Sequence, residues 1–140
     1  MTVDSEAIFA LAAHSRNDPR ALEALSGSMA AAWLDSRDRG VVFAARGVGR
    51  PLWVGQGRNE VFFASTLAAL AIVERFLDLR LRAREVPEGT FLVLQDGRVA
   101  RRTSFRPDRS YVEDGALPAV RAPDEAASCL QRLAALTALA

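Results

Sequence analysis

Val41-Val42-Phe43-Ala44-Ala45-Arg46-Gly47-Val48-Gly49-Arg50-Pro51-Leu52-Trp53-Val54-Gly55-Gln56-Gly57-Arg58-Asn59-Glu60-Val61-Phe62-Phe63 is the stretch that decides the fold. Its apolar runs, Val41 to Ala45, Leu52 to Val54 and Val61 to Phe63, are rich in β-branched and aromatic residues. Glycine- and proline-bearing turns divide them. Runs of that length and composition between such breakers read as strands. Gly47 to Pro51 is the first turn, and Gly55, Gln56, Gly57, Arg58 and Asn59 separate the last two runs, which therefore form a hairpin.

Upstream, Met29 to Leu34 is a further apolar run, joined to Val41 by the polar loop Asp35, Ser36, Arg37, Asp38, Arg39, Gly40. The two runs should pair as a first antiparallel hairpin. Before it, Ala7, Ile8, Leu11 and Ala12 fall at helical spacing, with Thr2, Asp4 and Glu6 as capping and dipole-favourable groups. Asn17, Asp18 and Pro19 interrupt that helix, and a second short one runs through Leu22 and Leu25 to a stop at Ser26 and Gly27.

Downstream, Ser65 and Thr66 offer hydroxyl caps to a helix carrying Leu67, Leu70, Ile72, Val73 and Phe76. Leu77 to Arg84 alternates apolar residues with arginine, Thr90 to Leu94 is β-rich, and Asp96-Gly97 is a hairpin turn leading into Val99 and an arginine-rich strand. These predict a small antiparallel sheet. Pro107 to Pro123 is turn-forming and charged, an extended surface connection, and Leu130, Leu133, Leu136 and Leu139 mark an amphipathic terminal helix over 123–140. The expected division is a body over 1–106, a connection over 107–122 and that helix.

Composition limits the chemistry. In 140 residues, half of them apolar, there is one core to build. Charge is nearly balanced, 18 basic against 17 acidic residues, so bulk electrostatics favour neither nucleic acid nor an acidic membrane. All the basic residues are arginine. The lone Cys129 cannot form an internal disulfide, and with His14 the single histidine, no Cys/His metal site is expected. No apolar run approaches the ~18 residues of a membrane span and no secretory signal is visible, so a cytoplasmic protein is expected.

Particular residues add a resemblance. Asp4-Ser5-Glu6 before an apolar helix is similar to the Asp-Thr/Ser-Glu segment that opens the second half of the class II glutamine amidotransferase domain, as found in glucosamine-6-phosphate synthase. Ala44-Ala45-Arg46-Gly47-Val48-Gly49-Arg50-Pro51-Leu52 followed by Gly55-Gln56-Gly57 resembles the family's Ala-Arg-x-Gly-x-Pro-Leu strand and turn with Gly-x-Gly after it. Phe63-Ala64-Ser65 matches its Phe-Ala-Ser-Asp, with Thr66 in place of Asp, and Glu88-Gly89 stands where the family has a Glu-Gly-Asp turn. The likeness spans roughly residues 4 to 105, and 106 to 140 has no counterpart.

The resemblance implies an α+β fold: a partial αββα sandwich of the N-terminal nucleophile hydrolase type, with antiparallel sheets and flanking helices. Such glutaminases attack the glutamine amide with a chain-opening cysteine whose α-amine relays the proton. This chain opens Met1-Thr2, and the family's first-half Asn-Gly and Arg-x-Thr-His elements are absent, so no catalytic residue is expected within it. One substrate contact carries over: Asp4, which by resemblance binds the α-amino group of glutamine, and which by its position alone is a helix cap.

Other candidates have plainer readings. Thr2 would become an N-terminal nucleophile on loss of Met1, but its matched position lies beside the helix start rather than on the family's opening strand. His14 near a helix end reads as a surface or capping residue, and Cys129 as a packed residue on the terminal helix. Gly55 to Asn59 has backbone donors for an anion, yet a hairpin turn explains both glycines. Arg80, Arg82 and Arg84, with Arg98, Arg101 and Arg102 on a neighbouring strand, suggest a basic ribbon; a solvated face paired with nearby Asp and Glu is the favoured reading of them.

The expected function is therefore a glutamine amidotransferase-like half domain in a split glutaminase whose nucleophile is on another chain. The alternative is a non-catalytic binding or scaffold module of the same fold. A protein partner or a homo-oligomer is expected because half a sandwich leaves sheet edges and an apolar face open. Glutamine is the expected small ligand, no cofactor, metal or membrane contact is expected, and nucleic acid ranks well below a protein partner.

Overall fold

The structure, a computed structural model, describes residues 4–110, with side chains from Glu6 onward. The expected helix over 123–140, Cys129, Thr2 and the connection beyond 110 lie outside the described residues. Among them two α-helices, one 3-10 helix and seven strands follow in chain order: α1 (Asp4–Ser15), a 3-10 helix (Pro19–Ala24), β1 (Ala30–Leu34), β2 (Val41–Arg46), β3 (Trp53–Gln56), β4 (Val61–Ala64), α2 (Leu67–Leu77), β5 (Arg82–Glu85), β6 (Thr90–Gln95) and β7 (Arg98–Ser104). Among the described residues, no helix is long and apolar enough to cross a membrane.

The strands make two antiparallel sheets, β1-β2-β6-β7 and β4-β3-β5. Strands β2 and β6 lie in the middle of the first and bury both faces, which is why they read as unbroken apolar runs. Phe43, Ala45, Phe91 and Val93 point to one side and pack with Leu22, Met29 and Phe105, against which Ile8 of α1 and Leu25 also rest. Ala44, Leu92 and Leu94 point to the other side and meet Leu52, Val54 and Val86. The layers are thus α1 with the 3-10 helix, sheet, sheet, and α2, an αββα sandwich built on an α+β sequence.

Local signals explain the breaks. Asp18 caps the 3-10 helix by accepting from the Arg20 N–H, with Pro19 in its first turn. Thr66 caps α2 by accepting from the Ala69 N–H at 3.2 Å, and Asp78 ends it in the left-handed region. Asp96 and Gly97 both have positive φ, the conformation that lets a two-residue turn follow the twist of β6 and β7.

Two expectations need correction. Gly55 and Gln56 are strand, not turn: Gly55 pairs with Phe62 and Ala83. A Cβ on Gly55 would sit 3.1 Å from Leu81 Cδ1 and 3.4 Å from both Leu70 methyls, so the missing side chain is what lets α2 lie close on this sheet. The segment after α2 also goes elsewhere than expected. Residues 82–85 pair with β3 in the second sheet, not with the β6–β7 hairpin, so the arginines of β5 and β7 never share a sheet. Sequence alternation gives a strand's faces but not its neighbour, and α2 delivers the chain to β3's free side.

Candidate functional site

Helix α1 runs along the first sheet from the end where β1 begins to the end where β1 stops. Its early residues Ala7 and Ile8 line a cavity of about 130 Å³ with the 25–29 segment, whereas Phe9, Ala12 and Ala13 face Ala32 to Arg37 at the far end. The first turn of α1, which starts at Asp4, therefore lies at the end of the sandwich where residues 26–29 enter the sheet.

The Arg46–Pro51 turn packs at that same end. Ser28 bridges Val48, the Met29 N–H donates to the Val48 carbonyl at 3.0 Å, and the Gly47 N–H donates back to Met29 at 2.8 Å. Backbones can approach this closely only without side chains between them. A Cβ on Gly47 would lie 3.2 Å from Met29 Cβ, and one on Gly49, at φ +74°, would lie 2.5 Å from Ser28 Oγ. The Gly47-Val48-Gly49 segment is thus a docking surface for residues 28–29.

Carboxylates tie the rest of this end together. Glu88 accepts from the Gly49 N–H at 3.2 Å and from Arg109 at 2.9 Å. Asp108 accepts from the Ser26 hydroxyl at 2.7 Å and from both the N–H and hydroxyl of Ser110. The Ser110 bonds, then that of Ser26, hold the Asp108 carboxyl below the usual carboxylate range. The Arg106 N–H donates to Glu23 at 2.9 Å, so residues 106–110 strap back over the 3-10 helix and its exit loop. Gly89, at φ +71°, passes so near Phe105 that a Cβ would lie 2.5 Å from its carbonyl oxygen, which accounts for the glycine after Glu88.

Arg46 has a role that its place in the motif did not reveal. Its Nη1 donates to Glu85 at 2.7 Å and to the Val86 carbonyl at 2.5 Å, clamping β2 of one sheet to the end of β5 in the other. Asn17 was missed altogether. It is buried at φ +61°, donates to Asp35 at 2.8 Å and Asp38 at 3.3 Å, and accepts from the Trp33 indole at 2.9 Å, which pins the end of α1 to the β1–β2 hairpin. The run Asn17-Asp18-Pro19 signalled a break, but nothing local pointed to partners 16 to 21 residues away.

The other candidates fall into place. His14 is exposed in the last turn of α1. The Arg58 and Asn59 N–H groups, the donors that an anion would need, are both occupied by the Glu60 carboxylate at 3.2 and 3.1 Å. The loop therefore carries its own anion. Among the described residues no group of three or more His, Cys, Asp or Glu side chains is gathered to hold a metal.

A family model described as a glutamine amidotransferase domain matches residues 1–72. A search of curated proteins returns no match. The matched stretch runs from ahead of α1 into α2 and contains both the Asp4 segment and the Arg46–Pro51 turn, which lie at the same end of the sandwich. The chain belongs to the glutamine amidotransferase domain family.

Proposed function

We propose that this chain supplies the glutamine amino-group site of a class II, N-terminal nucleophile-type glutaminase, and that the cysteine nucleophile and oxyanion donors come from a second polypeptide. The observation that carries this reading is the position of Asp4. It opens α1 at the end of the sandwich where the Arg46–Pro51 turn docks on residues 28–29, so that the two segments carrying the resemblance lie at one end. A carboxylate at that point suits the α-ammonium of glutamine through a charge-assisted hydrogen bond. The remaining chemistry is hydrolysis of glutamine to glutamate and ammonia by the partner's thiolate, with Asp4 fixing the substrate's amino end. A cytoplasmic setting, where glutamine is abundant and thiols stay reduced, fits that chemistry.

The test is to isolate the protein from its native cell, sequence co-purifying chains by mass spectrometry and assay glutamine hydrolysis on the same fraction. A stoichiometric partner opening with cysteine, together with activity, supports the reading; a homomeric particle without glutaminase activity sinks it. A second reading, a non-catalytic module that self-associates, is favoured by the outer side of α2, where Ile72, Phe76 and Leu77 are 51%, 68% and 47% exposed. It predicts that Phe76→Glu converts an oligomer to a monomer in sedimentation analysis.

A further inference from the structure

The inner space between the two sheets is apolar along its middle and changes character at one side. Residues paired across neighbouring strands project from the same sheet face. Arg84 pairs with Val54, and Arg82 with Gln56, so both arginines of β5 stand on the face that Val54 turns toward the other sheet. Arg102 of β7 pairs with Leu92, and Leu92 likewise faces the inter-sheet core. Three guanidiniums from the edge strands of two different sheets thus point into one cleft of about 400 Å³, floored by Val54, Leu92 and Val99.

Such a side is not the edge of a dry core. Sandwich interiors are filled by apolar side chains from both inner faces, and an unpaired charge there is costly. Among the described residues no carboxylate pairs with Arg82, Arg84 or Arg102. Glu85, the acid of the same cleft, is already engaged by Arg46. The local field is therefore positive, the guanidiniums keep their donors for a ligand, and the floor beneath them is apolar.

We infer that this cleft binds a small organic anion: an oxyanion head of the phosphate or carboxylate type on an apolar body. The planar guanidinium fork matches such heads bidentately, and arginines contributed by both sheets can grip one head from two sides. The apolar floor takes the body of the ligand. This site lies along the β5 and β7 edges, is formed almost wholly by residues beyond the 1–72 family match, and does not depend on the glutaminase reading.

The test is isothermal titration calorimetry of the full chain with phenyl phosphate, inorganic phosphate and benzoate at fixed ionic strength. Variants Arg84→Gln and Arg102→Gln remove cleft charges, and Arg101→Gln removes the same charge from the opposite face of the same strand, where Arg101 pairs with Val93 on the helix side. Circular dichroism and melting curves verify that each variant is folded. The site predicts that phenyl phosphate binds more tightly than inorganic phosphate, that Arg84→Gln and Arg102→Gln each weaken it about tenfold, and that Arg101→Gln changes it less than twofold. Benzoate binding with the same variant pattern would make the head carboxylate-compatible, and phosphate-only binding would restrict it to phosphates. No binding of either aromatic anion, equal affinity for phenyl and inorganic phosphate, or equal effects of Arg101→Gln and Arg102→Gln would overturn the inference.

Discussion

The two faces of the four-stranded sheet are built from the same strands and do different work. Its helix side carries bulk: Trp33, Phe43 and Phe91 have ring centroids 5.8 to 6.0 Å apart, beneath α1 and the 3-10 helix. Its inter-sheet side carries small and aliphatic residues, Ala44, Val42, Leu92 and Leu94, and gives way to arginines at the β7 edge. Aromatic packing of that kind holds an element firmly, and what it holds here is the helix that starts at Asp4. The smaller side chains allow the two sheets to approach and leave a cleft at one side. Aromatic packing thus lies under the helix that Asp4 opens, and aliphatic packing borders the proposed anion cleft.

Substitutions in neighbouring positions of β6 sharpen that contrast. Phe91→Ala should cost about 3–5 kcal/mol, because a 1% exposed ring leaves a cavity that the aromatic cluster cannot close. Leu92→Ala, one residue on and on the other face, should cost nearer about 2–3 kcal/mol, the sheets being freer to settle. Urea denaturation of both would test the ordering, and a larger loss for Leu92 would reverse the account of which layer is stiffer. Asn17→Ala should cost about 1–3 kcal/mol by leaving the Trp33 indole N–H without its acceptor and taking one donor from the Asp35 carboxylate, which keeps Arg37. The loss should be visible as a lower melting temperature and as a change in tryptophan fluorescence.

On the second sheet, Gly55→Ala should cost about 1 kcal/mol, since the new methyl presses on Leu81 and Leu70 and lifts α2 slightly. An unchanged melting temperature would mean that α2 sits more loosely than its contacts indicate. The smallest effect is acidic. Hydrogen bonds from Arg37, with Asn17 adding to them, hold the Asp35 carboxyl well below the usual carboxylate range. A folded-state pKa below the unfolded one gives stability that is complete above the unfolded value and is lost as pH falls below about 4. Asp35→Asn should flatten that part of a pH–stability curve, and an identical acid limb in the variant would remove this pair from the account.

Much of this fold could be read directly from the residues. Both hairpins, the Thr66 cap, the Asp96-Gly97 turn and the break at Asn17-Asp18-Pro19 have local causes, and local causes are visible in a sequence. The sheet to which β5 belongs was not legible, because pairing is a contact between distant segments and alternation alone is silent about it. Gly55 misled for a related reason: it looks like a turn residue until Leu70 and Leu81 are seen above it. For the site, the Asp4 segment and the Arg46–Pro51 turn were recognisable singly, but their placement at the same end of the sandwich required the fold. The arginine cleft was half visible, as a charge pattern whose two strands turned out to face each other rather than lie side by side.

The central claim is that Asp4 binds the amino group of glutamine. It is tested most directly by comparing L-glutamine with its analogue lacking the α-amino group as substrates of the native protein with its partner and of the Asp4→Asn variant. The account predicts that the native protein, with its partner, prefers glutamine by about 10- to 100-fold in kcat/KM, and that Asp4→Asn abolishes the preference while leaving the analogue's rate unchanged. A variant that still discriminates between the two as the native protein does would contradict it, and would return Asp4 to the plain role of capping a helix.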